Sequence, residues 1–401
     1  MKKKVLLIPL ALLLAISLVA IGCPAEEEEA KELKIGALEG LSGPGSESMV
    51  HLANGIRAAA DWINENGGLT INGEQYLVKL IEEDYKMSPE GMIAAANKLI
   101  YSDKVKFIVV GCPVPPFKAA LGLMCENNKI VRIDVSDPGS ITELTPEMTY
   151  TFADHYDRVN FAAAIANFLA LYPDVKTVGL VNAEDPAGHE MSIYIKEYLS
   201  EYDREVVSEE YFPFGTTDYY PMWTKILNAQ PDSIIMILGM PEWYGSIIKQ
   251  GRELGYTGPV LGTGTGGGDP YVTLALAGKE FSTDILYCSW DFNSPEMTPM
   301  IKEMRPYIKD KLGIELRSDH VIGRETLWAL TQAIEKAQSL DPTVVRDTFE
   351  KMESIETPNG TGKLGGLVTY GINHMLVRPH SLTRIMNGEV SHLKWFTPEL
   401  P

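Results

Sequence analysis

The stretch "VLGTGTGGGDP" (260–270) carries a GxGxxG at Gly262, Gly264 and Gly267 directly after a short apolar run. Such a loop can cradle a pyrophosphate against a helix N-terminus, and a ribose-binding acid is then expected ~20 residues further on. Asp291 stands at a suitable distance. The placement is wrong for that chemistry, because the fingerprint belongs on the first strand–helix turn of its unit. Here it follows the last strand of a long series, and any glycine-dense loop reproduces the pattern. No GxSxG elbow occurs, and no nucleophile is placed beside a base. The seven histidines show neither an HExxH nor another metal-ligand spacing. No enzyme activity, no metal and no cofactor is therefore expected. The cysteines, Cys23, Cys112, Cys125 and Cys288, form no CxxC, and the last three read as free thiols.

The chain has 401 residues, enough for two ordinary domains, with 45% hydrophobic and 22% charged residues. Its net charge of −19, with no offsetting basic stripe, argues against nucleic acid, whose phosphates need Lys or Arg. Residues 1–22 read as an export signal, with Lys2, Lys3 and Lys4 preceding the apolar run "VLLIPLALLLAISLVAIG". "VAIGC" resembles a lipobox, which makes Cys23 the expected lipidated first residue of the mature protein. Residues 23–32, "CPAEEEEAKE", have no periodic apolar face and read as an acidic tether. The expected location is outside the inner membrane, in the periplasm or at the cell surface, held by lipid alone.

From Leu33 onward, short apolar runs alternate with amphipathic helical stretches. "LKIGALEG", "VKFIVVG" and "IVRIDVS" read as buried strands, with "MVHLANGIRAAADWINENGG" and "SPEGMIAAANKLIYSD" as helices between them. In the second helix Ser88 is the expected N-cap and Pro89 opens the first turn. A second series begins near Tyr150, and "HVIGRETLWALTQAIEKAQS" forms a long helix beyond it. "LVTYG" and "SLTRIMNGEV" read as short strands, the latter turning at Asn387-Gly388. Repeated strand–helix–strand units imply parallel sheets covered on both faces. The fold class is α/β, with two Rossmann-like lobes joined by a hinge. Ligands in such sheets bind beyond the carboxyl ends of the strands. That rule selects the loops at 40–48, 111–117, 136–140, 182–188, 239–242, 262–268 and 290–293.

Over its mature length the chain resembles the branched-chain amino acid (Leu/Ile/Val) type of ABC-transporter substrate-binding protein, with the type 1 periplasmic binding protein fold. The stretches that carry the resemblance are "IGALEGLSGPGS", "AADWINENGG", "AANKLIYSDKVKFIVVG", "GSITELT", "GTTDYY", "MPEWYGSIIKQGRELG" and "MNGEV". It implies a monomer that captures a small molecule by hinge closure and delivers it to ABC permease subunits. The expected division is 33–154 plus 284–365 for one lobe and 155–283 plus 366–401 for the other.

The resemblance also implies where ligand contacts fall, and most are altered. Pro115 stands where amino-acid binders hold the ligand carboxylate with Ser, although Ser140 keeps a hydroxyl in place of Thr. Pro138, Ala187 and Gly239 or Met240 fall at other contact positions, and Gly264 replaces the carboxylate that pairs with the ligand ammonium. A micromolar complex has roughly 8 kcal/mol of binding free energy. A hydrogen bond to a charged group contributes about 1.5–3 kcal/mol. Losing both charge partners would thus remove a large fraction and strand a buried charge. The expected ligand is an apolar or aromatic carboxylate or amide. An amino-acid binder and a ligand-sensing receptor of the same fold are the alternatives. The expected lining is Ser46, Cys112, Pro113, Val114, Ser136, Asp137, Gly139, Ser140, His155, Tyr156, Met240, Thr263, Gly264, Thr265 and Trp290.

Overall fold

The computed structural model describes residues 30–111, 115–135, 144–154, 158–237, 239–263 and 268–399. The first sheet begins with β1 (Lys31–Glu39), β2 (Leu69–Ile71), β3 (Glu74–Asp84), β4 (Phe107–Gly111), β5 (Val131–Val135) and β6 (Thr151–Ala153). The second takes β7 (Thr177–Ala183), β8 (Glu205–Phe212), β9 (Ser233–Met236), β10 (Val260–Gly262) and β11 (Ile285–Tyr287). The chain then returns to the first with β12 (Ile355–Thr357), β13 (Gly360–Gly365) and β14 (Met375–Val377), and ends in the second with β15 (His380–Met386) and β16 (Glu389–Phe396).

The helices are α1 (Ser46–Glu65), α2 (Pro89–Asn97), α3 (Pro115–Asn128), α4 (Arg158–Leu171), α5 (Pro186–Glu201) and α6 (Tyr220–Ala229). They continue with α7 (Pro241–Glu253), α8 (Pro270–Ala277), α9 (Pro299–Leu312), α10 (Ser318–Ala337), α11 (Pro342–Glu350) and α12 (Leu367–Tyr370). Many start the same way. Ser88-Pro89, Asp185-Pro186, Asp269-Pro270, Thr298-Pro299 and Asp341-Pro342 each place a cap side chain that accepts from a first-turn N–H. The proline that follows needs no N–H partner at that position.

The strand orders are β12-β13-β14-β6-β5-β4-β1-β3-β2 and β16-β15-β11-β10-β9-β7-β8. The central pairs are parallel, with β1 on β3 and β4, and β9 on β7 and β10. Successive residues of one strand serve opposite faces. Val109 packs with α1 and α10, whereas Ile108 and Val110 pack with α2 and α3. In the second sheet Leu180 and Ile235 face α4 and α5, while Val181 and Ile234 face α6 and α7. Both sheets are therefore covered on both sides, as near-continuous apolar strands such as "FIVVG" require.

Two expectations need correction. "LVTY" is the short helix α12, bracketed by Gly366 and Gly371 at φ of 104° and 76°, rather than a strand. Left-handed glycines at both ends reverse the chain too sharply for it to continue a ladder. The sheets also change hands later than positions 284 and 366. Strand β11 pairs within the second sheet and β14 within the first. Cys288 belongs to the second core and Trp290 to the first, so the chain crosses at Ser289, and again at Arg378-Pro379. The "MNGEV" hairpin turns as expected, with Asn387 and Gly388 at φ of 53° and 74°.

Candidate functional site

Three crossings join the lobes, just after Ala153, at Ser289 and at Arg378-Pro379. They are fixed by polar groups with no exposure. Arg378 is ion-paired to Glu325 of α10, and both are fully buried. Asp154, also fully buried, accepts from Thr326 Oγ1 at 2.5 Å. Burial and the neighbouring Glu325 push the Asp154 carboxyl well above the usual range, and Arg378 offsets part of this. Thr383 Oγ1 of β15 donates to the Ser289 carbonyl at 2.6 Å and ties the second crossing to the strand that follows the third.

Among the expected lining residues, four lie within the described residues. Ser46 opens α1, half-buried, its N–H donating to the Gly43 carbonyl at 3.3 Å. Met240 caps α7, and its Cε lies 3.1 Å from where a Cβ on Gly45 would stand, so it reaches across to the first lobe. Thr263 is buried, and its hydroxyl donates to the carbonyls of Met236 and Ile237 at 3.1 and 2.7 Å. Trp290 is fully buried among residues of the first core, with Nε1 donating to Asn359 Oδ1 at 2.7 Å. Trp290 and Thr263 thus present no free group to a ligand here, because their polar atoms close local bonds. Cys112, Pro113, Val114, Ser136, Asp137, Gly139, Ser140, His155, Tyr156, Gly264 and Thr265, like Cys23, lie outside the described residues.

Sequence reasoning did not single out the residues that meet between the lobes. Glu242, in the first turn of α7, accepts from Ser48 Oγ of α1 at 2.7 Å and from Arg317 Nη2 at 2.6 Å. Burial alone would raise the Glu242 carboxyl, but the Arg317 charge and the Ser48 hydroxyl outweigh it and hold it below the usual range. Asp269 Oδ1 accepts from Tyr271 and Val272 N–H, capping α8, while Oδ2 accepts from Ser318 N–H of α10 at 3.0 Å. Beside them His320 Nδ1 accepts from Arg317 N–H at 3.0 Å, and its Nε2 lies 3.3 Å from His51 Nδ1. Burial, then His51 and Arg317, press His320 down to about 3, so this ring is neutral. The available signals were the Asp-Pro cap after the glycine loop and the acid in the first turn of "PEWY".

The glycine-rich stretch has a physical explanation at two positions, Gly262 of the motif and Gly268 just after it. A Cβ on Gly262 would lie 2.4 Å from the Tyr287 ring, and one on Gly268 2.1 Å from it. Tyr287 is buried and bonded to Thr273 Oγ1 at 2.8 Å, so both glycines make room for its ring. The N-terminus of α8, where a phosphate would have to sit, is already filled by the Asp269 carboxylate. Its acceptor bonds and charge both oppose an anion there. No group of His, Cys, Asp and Glu suited to a metal ion occurs among the described residues.

Two α/β lobes joined by three crossings define the class of fold, a bilobed α/β architecture. The chain belongs to the periplasmic binding protein family, whose sequence pattern it matches over residues 32–389. Members of this family bind solutes and act outside the cytoplasm. The chain is similar to an amino acid binding protein of Pseudomonas aeruginosa, with 25% identity over 215 residues. That match spans 51% of this chain and 52% of the relative, about half of its length. Its fold matches the branched-chain amino acid transporter substrate-binding protein LivJ of Streptococcus pneumoniae, solved with isoleucine. The TM-score is 0.76, with 20% identity over 92% of this chain and all (100%) of that one. A benzoate complex of a solute-binding protein from Rhodopseudomonas palustris matches with a TM-score of 0.75. There the identity is 16%, over 92% of this chain and 97% of that one.

Proposed function

We propose that this protein is the lipid-anchored solute receptor of an ABC importer, and that it closes its lobes around an apolar or aromatic carboxylate or amide. The observation that carries the ligand class is the loss of charge partners. Gly264 and Pro115 stand where amino-acid-binding relatives place a carboxylate and a Ser. The same fold holds isoleucine in one solved neighbour and benzoate in another, so the scaffold admits both chemistries. Without the carboxylate that Gly264 replaces, an α-amino acid would bury an ammonium stripped of the partner it has in those relatives. Lipidation at Cys23 would hold the receptor at the membrane, with the acidic segment after it as a tether.

Mass spectrometry of small molecules released from the purified protein, followed by thermal shifts with benzoate, hydroxybenzoates, leucine and valine, tests the ligand class. Stabilisation by an aromatic acid is expected. Strong stabilisation by leucine or valine with none by the acids would favour the amino-acid reading, which the named relative supports, and would overturn this one. Replacing Cys23 by Ala should move the exported protein from the detergent phase to the aqueous phase. An unchanged partition would remove the anchor from the proposal.

A further inference from the structure

Four helix N-termini converge where the two lobes touch. The first lobe supplies α1, with Ser48, and α10, with Arg317 at its cap, Ser318 and Asp319. The second supplies α7, with Glu242, and α8, with Asp269 at its cap. Neither carboxylate is spent wholly within its own lobe. Both Glu242 oxygens accept from the first lobe, Oε2 from Ser48 and Oε1 from Arg317. Asp269 divides its oxygens, one for the N-terminus of α8 and one for the first N–H of α10. A single carboxylate thus caps two helices that belong to different lobes. Asp319 lies 3.1 Å from Arg317 Nη2 and steadies the guanidinium that Glu242 grips. Met240, two residues before Glu242, adds an apolar contact against Gly45.

We propose that Glu242 and Asp269 form a clasp that favours the closed arrangement of the lobes over the open one, and so sets the affinity of the cleft for its solute. When the lobes part, Ser48, Arg317 and the Ser318 N–H exchange charge-assisted bonds for water. A solute that binds only the closed form has an apparent Kd inversely proportional to the closed fraction. Glu242 and Asp269 are therefore positioning residues that act on affinity from outside the ligand's contacts. The affinity consequence rests on the solute-binding reading above, whereas the clasp itself can be read with no ligand present.

The experiment uses ligand-stripped mature protein, with the exchange rate of the Ser318 amide and the radius of gyration from small-angle scattering as readouts. Glu242→Gln keeps the size and the Ser48 bond but removes the charge facing Arg317. It does not touch Ser318, so faster exchange there reports lobe opening transmitted across the interface. Roughly tenfold faster exchange and a larger radius are expected, the effect of one charge-assisted bond. Raising salt from 0.1 to 1 M should shift the wild type the same way. Arg317→Lys, which keeps the charge and loses the fork geometry, should fall between the two and guards against misfolding of the first variant. Unchanged exchange and radius in folded Glu242→Gln would overturn the clasp, whatever the thermal-shift panel finds. A failed panel with an opened Glu242→Gln would overturn only the ligand class.

Discussion

Replacing Gly323 by alanine adds one methyl group to α10 where it crosses α1. An ideal Cβ there lies 2.1 Å from the Leu52 carbonyl oxygen and 3.0 Å from the Ile56 nitrogen. Ordinary contact begins near 3.4 Å, so the helices are more than 1 Å too close for any side chain. Gly55 mirrors this from α1, with its Cβ position 2.3 Å from the His320 carbonyl oxygen. The obstacles are helix backbone, and no rotamer change relieves them. Overpacking costs about 1–3 kcal/mol, more when the surroundings are rigid. The gain in helix propensity of alanine over glycine returns about 1 kcal/mol. Interlocked backbones place the cost at the upper end, for a net loss of about 2 kcal/mol. At roughly 2–4 °C per kcal/mol for a domain of this size, the unfolding midpoint should fall by about 4–8 °C. Gly122→Ala is the control in the same lobe, because its Cβ would meet only Met148 Cε at 3.7 Å and Arg132 Nη2 at 3.9 Å. That substitution should be neutral or stabilising by up to about 1 kcal/mol. Urea and thermal unfolding of both variants check the pair. If Gly323→Ala proved as stable as the wild type, the close crossing of α1 and α10 would be refuted.

Other consequences can be checked on the same protein. Glu325→Gln leaves the Arg378 charge buried at the hinge and should cost about 3–5 kcal/mol in urea unfolding, much of it recovered by adding Arg378→Met. His320, held at about 3, is neutral in the folded chain while the unfolded chain takes up a proton below about pH 6.5. Its contribution is therefore complete above pH 6.5 and declines by about 1.4 kcal/mol per pH unit on acidification toward pH 3. His320→Gln should flatten that slope by one proton, and an unchanged slope would contradict a neutral buried ring. Gly268→Ala should destabilise by about 1–3 kcal/mol by striking the Tyr287 ring, and Tyr287→Leu should absorb part of the penalty. Strict additivity of those two changes would mean that they do not touch.

The alternation of strands and helices was legible because each signal is local. "FIVVG" is apolar throughout, as a strand buried on both faces must be, and the Ser-Pro and Asp-Pro dipeptides mark helix starts. The lobe boundaries were less legible. Strand β11 and the helices after it read alike as apolar segments, and nothing local says that Cys288 and Trp290 enter different cores. Trp290 illustrates the limit for sites. An aromatic residue at a strand end suits a ligand or a core equally, and the bond from its indole to Asn359, distant in sequence, could not be read locally. Glu242 and Asp269 were visible only as acids at helix starts, and their pairing with Arg317 and Ser318 was not, since those partners lie on other helices and in the other lobe.

The glycine loop shows how this sorting bears on the ligand. Gly262 and Gly268 are demanded by the Tyr287 ring, so their presence carries no information about what the cleft holds. Asp269, the acid at the end of the loop, is likewise committed to α8 and to Ser318. Its oxygens are engaged by the N-termini of two helices. The case against an α-amino acid accordingly narrows to Gly264 and Pro115. Glu242 and Asp269 both direct oxygens to donors of the opposite lobe, which supports the proposed preference for a carboxylate or amide that brings no positive charge of its own.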